Sequence, residues 1–204
     1  MGNKIFVLHA VAVALVLWGW SEPAQAAPAF MHVSGPTTQP VGHYELCRRI
    51  PQECSEKSPD QPPIALTREL WSRLIEVNNA VNLTVVPRTD MEIWGVEEYW
   101  SYPDRVGDCE DYVLEKRRRL MQAGVPAGGL LITVVRQPNG AGHAVLTVHT
   151  DHGDFVLDNL EPRILPWKET NYLYLKRQST RDSGLWVAID DGRATPVASV
   201  SSSR

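Results

Sequence analysis

The sequence predicts an α+β fold in which N-terminal helices pack on an antiparallel sheet. Two segments with the helical spacing of apolar residues come first along the chain, and a block of strand-like segments follows them. Helices and strands in separate blocks, rather than in alternation, are typical of the α+β class. A short polar turn at residues 151–154 joins two of the strand-like segments, which indicates an antiparallel hairpin.

The first 26 residues are typical of a secretory signal peptide. Lys4 supplies positive charge, the stretch from Ile5 to Trp20 is mostly apolar, and Ala24-Gln25-Ala26 matches a small-residue cleavage site. The apolar run is short for a bilayer span, so we favour cleavage after Ala26 over a retained membrane anchor. We therefore expect a periplasmic protein without stable membrane insertion, whose mature length suits one domain.

Residues 27–63 are rich in Pro, Gly, Ser and Gln, which predicts an extended segment. Cys47 and Cys54 lie within it, and in an oxidising compartment the two can form a disulfide. A metal site is the alternative, but no second cysteine pair or nearby ligand cluster completes one. The loop between the cysteines is short, so the disulfide stabilises the fold by about 3 kcal/mol at most.

The first helix is predicted to begin after Thr67, an N-cap residue, and to run to about Val81. Its apolar positions recur at helical spacing: Leu70, Trp71, Leu74, Ile75 and Val77. Three asparagines near its end are poor helix formers, and we expect them to cap the helix or bond a neighbouring loop: Asn78, Asn79 and Asn82.

A second helix is predicted to begin at Asp108 and to stop before Gly124 and Pro126. It contains the basic run 116–119, which we interpret as a solvated helix face. The formal net charge is −4, and no basic stripe with interleaved aromatic residues is present, so we expect no nucleic-acid partner.

The strand block completes a domain that we place at residues 64–190. Alternating or continuous apolar residues predict strands over 130–135, 143–149, 155–157 and 185–189. The Ala/Ser/Arg-rich end, 191–204, is predicted to be disordered.

Three residues in this framework carry possible chemistry. Cys109 is the cysteine left over when Cys47 and Cys54 pair, and it lies at a helix start. His143 opens one strand and Asp158 follows the next, so the hairpin should bring them together. Taken singly, each residue could be structural: a small buried thiol, a strand histidine and a turn acid. The order Cys–His–Asp on helix, strand and strand favours a catalytic set.

The thiol lies among carboxylates that oppose its ionisation. A helix N-terminus or a nearby imidazolium lowers the pKa of a cysteine, whereas Asp108, Glu110 and Asp111 repel a thiolate. A bound cation would offset this repulsion, and carboxylates are ordinary ligands of hard cations such as calcium. The alternative is that Asp108 is only an N-cap and the other two acids are favourable first-turn charges.

The motifs of the chain resemble those of the bacterial transglutaminase-like cysteine proteinases. The resemblance is carried by three separated blocks and extends over about residues 66–186: Gly107-Asp108-Cys109-Glu110-Asp111-Tyr112, Gly142-His143-Ala144-Val145-Leu146 and Leu157-Asp158-Asn159. It implies a transglutaminase-like (papain-like) fold and a periplasmic cysteine endopeptidase. By this resemblance Cys109 is the nucleophile, His143 the general base and Asp158 the orienting acid.

The resemblance also implies a cofactor and partners. An adhesin-releasing branch of the family binds calcium through the acids beside the cysteine, which here are Asp108 and Glu110, with Asp111 as the weaker candidate. In that branch the substrate is a large surface adhesin, and a c-di-GMP-responsive inner-membrane receptor sequesters the protease. Two other functions stay open at this point: acyl transfer to an amine by the same intermediate, and an inactive calcium-dependent binding module.

Overall fold

A seven-stranded antiparallel sheet organises the computed structural model, which describes residues 29–58 and 62–193. The predicted signal peptide, residues 1–26, lies outside these residues, and so does most of the predicted disordered tail. The strand order is β1-β9-β8-β4-β5-β6-β7. The strands of this sheet are β1 Val33–Thr37, β4 Leu130–Arg136, β5 Gly142–Thr150, β6 Gly153–Leu157, β7 Leu165–Pro166, β8 Leu173–Gln178 and β9 Trp186–Ile189. A separate parallel pair is formed by β2 Val86–Pro87 and β3 Val106–Gly107.

The four strands predicted from the sequence are confirmed, with small changes in their ends. Strands β4 and β5 pair over their length, from Leu130 opposite Val148 to Arg136 opposite Gly142. Strand β8 was not predicted, because its sequence Leu-Tyr-Leu-Lys-Arg-Gln mixes charged and apolar residues without clean alternation. Pairing with β4 on one side and β9 on the other makes it a strand.

In the described part of the chain, four α-helices accompany the sheet: α1 Val41–Arg49, α2 Arg68–Thr84, α3 Asp90–Ile93 and α4 Cys109–Gln122. The predicted cap of α2 is confirmed, since Leu70 N–H donates to Thr67 Oγ1 at 3.1 Å. The helix runs three residues beyond Val81, because its asparagines bond a loop instead of ending it. Asn82 Nδ2 donates to the carbonyl of Asp158 at 2.8 Å, and Asn78 Nδ2 donates to that of Pro162 at 3.1 Å.

The prediction of an extended segment over residues 27–63 is wrong in its central part. Strand β1 pairs with β9 there, and helix α1 follows. The helix forms because Leu46 and His43 are fully buried, and the His43 ring packs edge-on against Trp100 and Trp186. The Cys47–Cys54 disulfide is confirmed and joins α1 to the following 3₁₀ turn. The domain therefore begins before residue 64.

The C-terminal boundary of the domain lies beyond the predicted residue 190. Asp191 and Arg193, which the sequence placed in the disordered tail, contact the domain. The backbone N–H of Tyr174 donates to Asp191 Oδ2 at 2.6 Å, and Arg193 donates to the carbonyl of Thr170 at 2.9 Å. These bonds hold the chain against the start of β8, so the domain extends beyond residue 190.

The basic run 116–119 is not a solvated face. Lys116 is 0% exposed and Arg117 is 2% exposed, because α4 packs between strand β5 and helix α2. Arg117 Nε donates to the carbonyl of Leu130 at 3.0 Å. Arg118 and Arg119 reach solvent and form ion pairs with Glu115. Half of the run is therefore part of the interior.

The largest apolar core lies between α4, α2 and one face of the sheet. Its fully buried members include Leu74, Leu114, Leu120, Leu130 and Leu146. This packing brings the first residue of α4 against the end of β5 where the predicted catalytic histidine lies. Within residues 29–58 and 62–193, no helix is long and apolar enough to cross a membrane.

Candidate active site

Cys109 is the first residue of α4 and is the free cysteine of the domain. Its thiol donates a hydrogen bond to Glu110 Oε2 at 3.1 Å. The sulfur accepts a hydrogen bond from the backbone N–H of Ala144 on strand β5. The sulfur therefore lies beside the residue that follows His143. Asp108 occupies the N-cap position, but its side chain makes no capping hydrogen bond, so its role is not that of a helix cap.

The predicted proximity of His143 and Asp158 is confirmed. His143 Nε2 and Asp158 Oδ1 are 2.8 Å apart, and both side chains are buried. The β5–β6 register explains the contact, because Leu146 pairs with Leu157 and continuation of that register places Asp158 opposite Val145. Val145 and His143 share a face of β5, so His143 is the diagonal neighbour of Asp158.

Two further donors hold the Asp158 carboxylate. The Tyr172 hydroxyl donates to Oδ2 at 2.5 Å, and the Leu160 N–H donates to Oδ1 at 3.0 Å. Burial alone would raise the pKa of Asp158, but the hydrogen bond and charge of His143, with these donors, hold it below its usual value. Asp158 is therefore an ionised acceptor. Nε2 of His143 then carries a proton, which leaves the lone pair on Nδ1.

A group of three carboxylates lies beside the thiol. One oxygen each from Asp90, Asp108 and Glu110 lies within 4.8 Å of the others. The backbone N–H of Asp90 donates to Asp108 Oδ2 at 3.3 Å. Asp111 lies outside this group, and its Oδ1 accepts the backbone N–H of Ser101 at 2.8 Å. The structure thus brings together two of the three acids expected at a metal site and adds Asp90.

Sequence reasoning missed Asp90, and only one local signal could have marked it. Asp90 is the first residue of the short helix α3, which begins with a capping box between Thr89 and Glu92. A Thr-x-x-Glu pattern identifies a helix start, and so the first-turn position of Asp90. That pattern does not show that the helix start faces Asp108, eighteen residues further along the chain.

Within the described part of the chain, no basic residue forms an ion pair with Asp90, Asp108 or Glu110. Burial and then the charge of Asp108 raise the pKa of Glu110, and burial raises that of Asp111 to about 7. Burial likewise raises the pKa of Asp90, and burial with the charge of Glu110 raises that of the Cys109 thiol. Three buried carboxylate oxygens near the thiol have no hydrogen-bond donor among the described residues: Asp90 Oδ1, Asp108 Oδ1 and Asp111 Oδ2.

Unpartnered buried carboxylate oxygens fit a hard cation, because calcium prefers several oxygen ligands of this kind. The donor set in the structure is therefore compatible with calcium. A second group of potential ligands, His43 with Cys47 and Cys54, is unsuitable, since the two sulfurs are joined in the disulfide and are not thiolates.

Comparison with known proteins agrees with this geometry. A family profile described as "Bacterial transglutaminase-like cysteine proteinase BTLCP" matches residues 33–194. No curated protein sequence gives a match. Among solved structures, calcium-bound LapG of Legionella pneumophila is 29% identical with a TM-score of 0.51, and the match covers 58% of this chain and 69% of that one. LapG and EGTA-treated LapG of the same organism are each 30% identical with a TM-score of 0.50, covering 58% of this chain and 67% of theirs.

The profile spans most of the chain, and the structural matches share its arrangement of helices and antiparallel sheet. The fold is therefore transglutaminase-like. The chain belongs to the bacterial transglutaminase-like cysteine proteinases and is a cysteine peptidase of the transglutaminase-like type.

Proposed function

We propose that the protein is an exported cysteine endopeptidase in which Cys109 is the nucleophile, His143 the general base and Asp158 the orienting acid. The observation that carries this proposal is the 2.8 Å contact between His143 Nε2 and Asp158 Oδ1 beside the helix start that presents Cys109. A nucleophile, a base and a third group that orients the base are what covalent hydrolysis of a peptide bond requires.

In the proposed reaction, the proton on His143 Nε2 leaves Nδ1 free to act as the base. His143 Nδ1 takes the thiol proton, and Cys109 Sγ attacks the scissile carbonyl carbon. Backbone N–H groups at the start of α4, including that of Cys109, stabilise the oxyanion. The C–N bond then breaks, and Nδ1 returns its proton to the leaving amine. In the second half, water gives a proton to Nδ1 and attacks the thioester; the C–S bond breaks and Sγ regains the proton.

We include calcium in the proposed function. Asp90, Asp108 and Glu110 would hold the ion, with the unpartnered oxygens of Asp90 and Asp108 as its natural ligands. When bound, the ion supplies positive charge that offsets the carboxylates around the thiol. Support from outside this chain is that LapG has been solved in a calcium-bound form and in an EGTA-treated form.

The calcium proposal predicts a specific pattern among three isosteric variants. CaCl₂ should raise the unfolding temperature of the wild type, since a ligand at 100 times its dissociation constant stabilises the folded state by about 2.7 kcal/mol. Asp90→Asn and Asp108→Asn should lose most of this shift. Asp111→Asn is the matched control and should keep it, because Asp111 lies outside the group.

The measurement is thermal unfolding after EGTA treatment, with and without added CaCl₂, and with MgCl₂ for comparison. Activity of the wild type should fall with EGTA and return with CaCl₂. No shift in the wild type, or an equal loss in all three variants, would show that these acids form no calcium site.

The substrate and partner proposed here rest on the family resemblance. We propose a large surface adhesin as substrate, and a c-di-GMP-responsive inner-membrane receptor as the partner that sequesters the protease. Both require the periplasm, so we propose cleavage of residues 1–26 on export. N-terminal sequencing of the protein from the periplasmic fraction should then begin at Ala27. A protein there that keeps Met1 would contradict cleavage, and absence of the protein from that fraction would contradict export.

The endopeptidase proposal is tested by labelling new N-termini in the cell-surface fraction after incubation with the protein. The wild type should create N-termini that are absent with Cys109→Ala. A labelled amine in the same reaction separates the two outcomes of the acyl-enzyme, because hydrolysis leaves the amine free and acyl transfer attaches it to protein. The same new N-termini with Cys109→Ala would refute a nucleophilic role for Cys109.

A further inference from the structure

Tyr172 contacts both members of the His143–Asp158 pair, and no motif in the sequence marks it. The residue lies immediately before strand β8. Its hydroxyl donates to Asp158 Oδ2 at 2.5 Å, and its ring centroid lies 5.5 Å from that of His143 with the planes tilted by 58°. A tyrosine can hold both contacts because its ring is rigid and its hydroxyl lies at the far end.

The two oxygens of Asp158 have different sets of donors. Oδ1 accepts from His143 Nε2 and from the Leu160 N–H. For Oδ2, the hydrogen bond that the described part of the chain provides comes from Tyr172. Asn82 also reaches this residue, but it donates to the main-chain carbonyl and does not constrain the carboxylate plane. The Tyr172 hydroxyl therefore restrains the oxygen that His143 and Leu160 leave free.

The chemical state of Tyr172 suits this role. Burial, together with the hydrogen bond to Asp158, raises the pKa of its phenol, so the hydroxyl remains a donor through the working pH range. A hydrogen bond from a neutral hydroxyl to an ionised carboxylate is of the stronger, charge-assisted kind. It holds Oδ2 without placing a second charge beside the imidazole.

Tyr172 also borders an open cavity of about 380 Å³. Asp158, Leu160 and Tyr172 are among the residues that line this cavity, and Tyr172 itself is half-buried. Without its ring, water from the cavity would reach the Asp158 carboxylate and compete with His143 for it. The side chain thus combines a hydrogen bond to the carboxylate with cover for the imidazole.

We propose that Tyr172 is a positioning residue of the active site, which fixes the Asp158 carboxylate and packs on the His143 ring, so that the imidazole keeps one orientation. This inference rests on the proposed function of the three residues. Tyr172 acts through its hydrogen bond to Asp158 and through its ring contact with the imidazole. Its removal should therefore affect the chemical step and leave substrate binding nearly unchanged.

The test compares Tyr172→Phe with Tyr174→Phe. Tyr174 is the matched control, because its hydroxyl bonds that of Thr170 at 3.0 Å. It lies two residues further along the chain, on strand β8. On a peptide that the wild type cleaves, Y172F should lower kcat by about 10- to 100-fold, the range expected for one hydrogen bond to a charged group. Its KM should stay within about twofold, as for a group that acts only in the chemical step. Y174F should retain kcat.

A second measurement needs no substrate and separates this proposal from the endopeptidase proposal. In the ¹⁵N-labelled wild type, the proton on His143 Nε2 should give a signal that exchanges slowly with water. In Y172F that signal should broaden or disappear, while Y174F keeps it. If no peptide is cleaved by any form but the signal changes as expected, the positioning role stands and the endopeptidase role fails.

A double-mutant cycle completes the test. If Tyr172 acts through Asp158, Y172F should have little further effect on kcat in an Asp158→Asn background, because residues that act as a unit are not additive. An unchanged kcat together with an unchanged Nε2–H signal in Y172F would overturn the proposal. So would full additivity with Asp158→Asn.

Discussion

At the scale of single residues, Lys116 is a buried basic side chain whose pKa is influenced by Asp158. It is 0% exposed, and its Nζ has no hydrogen-bond partner within residues 29–58 and 62–193. Burial lowers its pKa to about 7, against the opposing attraction of Asp158. Lys116 follows Cys109 by seven residues, so the two lie on the same face of α4 about two turns apart. The ammonium thus belongs to the electrostatic surroundings of the His143–Asp158 pair.

Lys116→Met should change how stability depends on pH. The pKa of Lys116 is lower in the folded state, about 7, than in the unfolded chain, so the folded state binds fewer protons above pH 7. Wild-type stability should therefore gain about 3 to 5 kcal/mol between pH 7 and pH 10.5 from this group. The variant lacks that gain, so its advantage over the wild type should be largest near pH 7 and shrink as pH rises.

Urea unfolding at pH 7, 8.5 and 10 measures this difference. Lys168→Met, at an exposed position, is the control and should follow the wild-type pH dependence. If the free energy of unfolding changes with pH in the same way for the wild type and Lys116→Met, the pKa of Lys116 is not lowered in the folded protein.

At the scale of elements, the β5–β6 hairpin is the feature that sets the His143–Asp158 contact. Residues 29–31 clamp its turn: Asp154 N–H donates to the carbonyl of Ala29 at 3.0 Å, and Met31 N–H donates to Asp154 Oδ2 at 2.6 Å. Gly153 opens β6 with φ +111°, and a Cβ there would lie 2.8 Å from the Ala29 oxygen. Both the backbone conformation and the close approach therefore require glycine at this position.

Gly153→Ala should destabilise the domain by about 1–3 kcal/mol, because it adds backbone strain and a backbone contact that cannot relax easily. Gly142→Ala is the control from the far end of the same hairpin, where φ is unstrained and no atom lies within 4 Å of a new Cβ. Chemical denaturation of the two variants gives the comparison. An equal loss in both would contradict this account of the turn.

At the scale of the whole molecule, the N-terminal part of the chain closes the domain. Strand β1 adds the edge of the sheet beside β9, and α1 packs its buried histidine between two tryptophans. The Cys47–Cys54 disulfide spans a sequence separation of 7 and holds the end of α1. It lies in a different part of the structure from the His143–Asp158 pair, so stability and chemistry should respond to its loss separately.

Cys47→Ser combined with Cys54→Ser should lower the free energy of unfolding by about 3 kcal/mol at most, since the bridge closes a short loop. Activity measured well below the unfolding temperature should be unchanged. Thermal unfolding and peptide cleavage test the two statements. Thiol titration adds a check on the pairing: the oxidised wild type should show one free thiol after denaturation, and three would contradict the disulfide.

Much of the element order could be predicted because its signals are local. Thr67 caps α2 with its own side chain, and Gly124, at φ +88°, ends α4. The apolar stretches of β4, β5 and β9 are strong enough to identify strands without knowledge of their partners. Strand β8 and helix α1 have no such signal, since charged residues interrupt one and a Pro- and Gly-rich context surrounds the other. Pairing and burial against distant segments make them regular.

The same distinction applies to the site. The sequence by itself determined the family through its three motif blocks. It also determined the neighbourhood of His143 and Asp158, because a hairpin relates residues that are close along the chain. Only the tertiary structure placed Asp90 beside Asp108, Tyr172 against Asp158, and Lys116 in the interior. These side chains come from separate elements, and packing of α4 between the sheet and α2 decides which of them meet. Local patterns determine where helices and strands begin and end, whereas burial and charge partners depend on contacts between distant parts of the chain.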